Sequence, residues 1–131
     1  MPPRSFSEVV YNRWGVTISA DVQILFHDFG YNHHPKRLVY TVFTVAEEPN
    51  DFLTDFTQES GSAVETFVNT RIKHLECFEI PQSFLPDWDV PYYWQHMGLS
   101  YSEDYGYRHI LYMLYFLDSQ TFIVVQWITN R

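Results

Sequence analysis

The stretch from Val22 to Phe29 sets Val22, Ile24 and Phe26 against Asp21, Gln23 and Leu25. That period of two predicts a half-buried strand. Gly15 to Ser19 shares its β-branched, apolar character. Gly30 to Lys36 is a polar turn, because glycine and proline both interrupt regular pairing. Leu38 to Val45 is β-branched or aromatic at nearly every position and predicts a second strand, hairpin-paired with the first.

The period then changes. Ser62-Ala63-Val64-Glu65 is a capping box, in which the serine hydroxyl and the glutamate carboxylate satisfy free backbone N–H groups at a helix start. Val64, Phe67, Val68, Ile72, Leu75 and Phe78 follow at steps of three or four, or their sums, and form one apolar stripe. A long helix is expected there, with a short helical turn at Asp51 to Phe56 before it. From Pro81 to Ser102 periodicity lapses, and Pro81, Pro86 and Pro91 mark a long connection studded with Phe84, Trp88, Tyr92, Tyr93 and Trp94. Tyr105 to Leu117 and Thr121 to Thr129, separated by Asp118-Ser119-Gln120, predict a long antiparallel hairpin. Ile110 to Phe116 is apolar on both faces, so its strand belongs near the middle of the sheet, covered on at least one face by the helix.

The expected fold class is α+β: a curved antiparallel sheet in ββ-α-ββ order, packed against one long helix. This order of elements is similar to that of small adaptor chaperones of bacterial type VI secretion and of several toxin-immunity proteins. The resemblance covers the order alone and carries no motif, so it assigns no residue.

Length and composition narrow the classes. A chain of 131 residues with no repeat and no Gly/Ser linker is expected to form a single domain over 1–131. Hydrophobic residues at 46% against 18% charged exclude a disordered acidic tail. The single cysteine, Cys77, cannot form an intrachain disulfide. Met1 to Phe6 lacks the apolar core of a secretory signal, and Ile110 to Leu117 is too short to cross a bilayer. A cytoplasmic protein without a membrane span is the expectation.

Charge is the more informative feature. Eight Lys and Arg against 16 Asp and Glu leave −8, a sign that phosphate backbones repel, so no nucleic-acid partner is expected. Twelve of the 16 acids fall in two windows, Arg37–Arg71 and Lys73–Arg108, that hold no internal Lys or Arg. Such windows keep an aromatic-rich domain soluble, and they can also steer a basic partner.

Catalytic signatures are sparse. His27, Asp28, His33 and His34 offer nitrogen and oxygen ligands, but their spacing matches no metal motif, and a solvated polar turn is the simpler reading. His74 and Cys77 lie one helical turn apart without the loop a nucleophilic thiolate needs. Asp87-Trp88-Asp89 has an Asp-X-Asp pattern outside the strand-end setting of a metal site. P-loop, dinucleotide-binding, HExxH, GxSxG and CxxC motifs are all absent.

The reading that follows is a small acidic protein-binding module of the inhibitor, immunity-protein or effector-chaperone type, which occludes a basic partner such as a toxin or effector. Its expected contacts are Asp87, Trp88, Asp89, Tyr92, Tyr93 and Trp94, with Glu47, Glu48, Asp51 and Asp55 as a second patch. No metal or cofactor is expected. One alternative is a small-molecule binder or cofactor-free enzyme with a pocket between sheet and helix, using His27, Asp28, His96 and His109. Self-association through exposed aromatics is a third.

Overall fold

The structure, a computed structural model, describes residues 22–31, 36–46, 53, 56–57, 62–73, 80–102 and 106–129, with backbone only at 28–31, 36–37, 62, 71–73, 99–102, 106–108 and 128–129. Strands β1 (Val22–Tyr31) and β2 (Lys36–Val45) are followed by helix α1 (Ser62–Lys73). A 3-10 turn at Gln82–Phe84 leads to strands β3 (Tyr92–Ser102), β4 (Gly106–Phe116) and β5 (Thr121–Thr129). All pairs are antiparallel, in the spatial order β1-β2-β5-β4-β3. The sheet is open, with β1 and β3 as its edges.

The first strand pair and the terminal hairpin lie where the patterning puts them. β5 inserts beside β2, so the most apolar segments, β2, β5 and β4, occupy the three inner positions. Alternation then divides their side chains between two faces. Phe43, Leu111, Met113, Tyr115, Phe122 and Val124 form a core on one side, with Leu53 and Phe56 packed against it. Leu38, Tyr40, Val42, Leu114, Phe116, Ile123, Val125 and Trp127 face the other way and meet Val64 and Val68 of α1. Both valines are wholly buried, which stabilises the helix by about 1.5–3 kcal/mol for each side chain.

Two expectations change. The helix spans 12 residues, three turns rather than a long rod, and Leu75 and Phe78 lie outside the described residues. The connection expected from Pro81 to Ser102 ends at Pro91, after which β3 pairs with β4 from Tyr92↔Phe116 to Ser102↔Gly106. The order is therefore ββ-α-βββ. Tyr92, Tyr93 and Trp94 are strong β-formers, but three rings in a row erase the polar–apolar alternation that marks a strand. Pro91 directly before the strand is compatible with it, since only the N–H of a paired residue would be missed.

Phe122 is wholly buried and stacks on Phe43 with centroids 4.9 Å apart and an interplanar angle of 6°. Phe122→Ala is therefore expected to destabilise the fold by about 3–5 kcal/mol. Leu117→Ala, at an exposed position, should change stability by no more than about 0.5 kcal/mol. Urea unfolding midpoints for the two variants check the contrast, and similar midpoints would contradict this core.

Candidate functional site

Residues 80–91 form an arch over the face that α1 covers in part. Ile80, Phe84, Trp88 and Val90 pack against the cluster on that face. From Ser83 to Tyr92 exposure alternates residue by residue: Phe84, Pro86, Trp88, Val90 and Tyr92 are half-buried, while Ser83, Leu85, Asp87, Asp89 and Pro91 are exposed. The chain lays its rings on the core and leaves both carboxylates in solvent.

Polar and ring contacts pin the arch to the elements beneath it. The buried Tyr40 hydroxyl of β2 donates to the Phe84 carbonyl at 2.7 Å, and the Phe84 ring stacks on Phe26 of β1 at 5.6 Å. Trp88 donates through Nε1 to Asn69 Oδ1 of α1 at 3.1 Å, while its ring meets Tyr92 edge-on at 5.3 Å. Tyr92 in turn donates its hydroxyl to Glu65 Oε1 at 3.0 Å. Within the arch, Asp87 Oδ1 accepts from the Asp89 N–H at 3.1 Å and the Asp87 carbonyl from the Val90 N–H at 3.4 Å, a tight turn around Trp88.

The structure thus brings Asp87, Trp88, Asp89 and Tyr92 together. Trp94 packs on the same face, with its ring 6.3 Å from Tyr112. Its backbone N–H and C=O pair with Thr57 at 3.0 and 2.8 Å, which closes that point of the β3 edge. Tyr93 belongs to the opposite face, with the cluster around Phe122. Glu47, Glu48, Asp51 and Asp55 lie outside the described residues, as do His33, His34, His74 and Cys77.

Beside the arch the surface opens into a cavity of about 270 Å³. It runs from Leu25 of β1 to Asp118, Ser119 and Thr121 at the β4–β5 turn, with Asp87 and Leu85 on the arch side. Two local features shape it. A bulge in β1 shifts the register between Ile24 and Phe26 and leaves Leu25 without a partner on β2. The β4–β5 turn is closed by Gln120 in the left-handed region, at φ 53°, and by Thr121 Oγ1 donating to the Ser119 carbonyl at 3.0 Å. The cavity is the feature that pattern reading missed, because it depends on a bulge and a turn that meet only in the folded chain.

The described histidines, His27, His96 and His109, do not gather. His27, on β1, pairs through Nδ1 with Thr41 Oγ1 at 2.8 Å. His96, on β3, lies against the Tyr112 ring at 4.8 Å, and partial burial lowers its pKa. The two occupy opposite edges of a five-stranded sheet, roughly 19 Å apart at about 4.8 Å per strand. Neither they nor His109 line the cavity. The Asp28 side chain lies outside the described residues. Among the described residues no three His, Cys, Asp or Glu side chains form a metal-binding group, and no helix is long and apolar enough to cross a membrane.

Two brace residues give checkable outcomes. Burial raises the Tyr40 pKa far above the ordinary tyrosine value. Its contribution to stability is therefore complete below about pH 10, the unfolded value, and is lost as pH rises towards the folded one. Tyr40→Phe should cost about 1–3 kcal/mol at pH 7 by stripping the Phe84 carbonyl of its donor. It should also make the decline in stability above pH 10 shallower, as read from urea unfolding across pH 7–11; an unchanged alkaline slope would refute the assignment. Tyr92→Phe, which removes the link to Glu65, is expected to cost about 1–2 kcal/mol in the same assay.

Compared with protein-family models, with curated proteins and with solved structures, the chain matches none of them.

Proposed function

We propose that the chain is a protein-binding module of the inhibitor, immunity-protein or effector-chaperone type, and that it acts by covering a basic surface of its partner. The observation that carries this reading is the arch. Asp87 and Asp89 stand exposed on a segment held to β2 by the Tyr40 hydroxyl and to α1 and β4 by Trp88. A segment already ordered in the free protein loses little entropy on binding.

The formal charge of −8 supports the same reading. Carboxylates on an exposed, braced segment speed the encounter with a cation, and the half-exposed edges of Trp88 and Tyr92 beside them slow departure. Trp and Tyr suit this role because they present large area with few rotatable bonds.

The test uses a cationic polypeptide, poly-L-arginine, as the probe. Asp87→Asn combined with Asp89→Asn should weaken its binding by about three- to tenfold, since rim charges each contribute up to about 1 kcal/mol. The thermal midpoint should not move, because both positions are exposed and the Asp87→Asn change keeps the Oδ1 that caps the turn. A charge-matched control, Glu103→Gln with Asp104→Asn, should weaken binding less. Equal losses in the two double variants, measured by titration calorimetry, would show that only diffuse charge matters and would overturn the role given to the arch.

A further inference from the structure

The cavity beside the arch has a floor and a mouth of different chemistry. Val42 and Ile123 are almost fully buried and form its base, with Phe116 at the end of β4 and Phe84 of the arch as walls. The mouth carries two carboxylates from two different elements, Asp87 on the arch and Asp118 on the β4–β5 turn, and both side chains are exposed. Among the described residues that line it there is no Lys or Arg.

Size and charge select the occupant. At about 270 Å³ the cavity falls just below the range of roughly 300–1,000 Å³ typical of small-molecule sites, a fit for one long side chain rather than a cofactor. An apolar base below an anionic rim repels phosphates and carboxylates. It favours a group that is greasy along its stem and cationic at its end.

We propose that this cavity receives an arginine side chain from the basic partner, its stem between Phe84 and Phe116 and its guanidinium between Asp87 and Asp118. The proposal rests on the docking reading above and names the residue type which that docking recognises. Arginine suits the mouth better than lysine. Its planar fork offers five N–H donors, enough to serve acceptors from two elements at once, and it sheds water more readily than an ammonium.

Methyl-resolved NMR on the intact chain tests this, with butylguanidinium, butylammonium and butan-1-ol as probes. Butylguanidinium should produce saturable shifts at the methyls of Leu25, Val42, Leu85 and Ile123, with an affinity about fivefold above that of either other probe. Asp118→Asn should lower that affinity by about fivefold while leaving the spectrum of the free protein otherwise intact. Equal shifts from butan-1-ol would show a merely apolar cleft, and equal affinity for butylammonium would remove the preference for arginine. An unchanged affinity in the Asp118→Asn variant would remove the carboxylate clamp. Each of these outcomes overturns the proposal. Poly-L-arginine in the same experiment separates the two levels. If it binds in an Asp87- and Asp89-dependent way without moving the cavity methyls, the docking reading stands and the cavity proposal falls. If butylguanidinium fills the cavity while poly-L-arginine does not bind, the docking reading falls and with it the assignment of a partner.

Discussion

A sheet whose inner strands are apolar on both faces must be covered on both; Leu53 and Phe56 pack on one side, and on the other the helix cannot do this alone. Five strands at about 4.8 Å make a sheet roughly 19 Å wide, and ten residues of strand run to about 33 Å. A 12-residue helix is about 18 Å long and roughly 10 Å across. It covers Leu38, Tyr40 and their neighbours only in part. The remaining apolar area demands a second cover, and the residues 80–91 provide it.

That demand explains how the arch is built. Its inward positions are large, because they fill the space beside the helix: Phe84 on Phe26 and Trp88 on Phe116 and Tyr92. Among the described residues no strand pairs with 80–91, and the Tyr40 hydroxyl satisfies the Phe84 carbonyl from below while the Leu117 N–H satisfies that of Pro91. Prolines suit the same need, since each removes an N–H that would otherwise want a partner. The cavity lies where this cover stops, between the arch and the β4–β5 turn, with Val42 and Ile123 of the sheet at its base.

Much of this was legible from residue order. The first strand pair, the start of the helix and the terminal hairpin each lie where the local signal puts them, but the face expected to hold Val22, Ile24 and Phe26 together is split, because the bulge at Leu25 sends Val22 and Phe26 to opposite cores. β3 was hidden because consecutive Tyr92, Tyr93 and Trp94 carry no contrast between faces, although one of them, Tyr93, faces the opposite core. The arch did carry a signal. Phe84, Pro86, Trp88, Val90 and Tyr92 alternate with Leu85, Asp87, Asp89 and Pro91, a period of two that the prolines disguise as a loop. Burial alternates along it without strand pairing, which shows that period two reports a chain lying on a surface, whether or not it joins a ladder. The bulge at Leu25 and the left-handed Gln120 left no comparable mark, since nothing in their local sequence requires either.

The same geometry accounts for the placement of the charges. Once Trp88 turns inward, its neighbours Asp87 and Asp89 must turn outward and lie on one side. Two unit charges about 7 Å apart in water repel by only about 0.6 kcal/mol. Burying much of an indole ring outweighs this, since a large side chain contributes about 1.5–3 kcal/mol when fully buried. The arch therefore holds two like charges close together at small cost, and salt screens even that. A cation held at Asp87 would offset that repulsion. The packing that closes the core thus also fixes the anionic face.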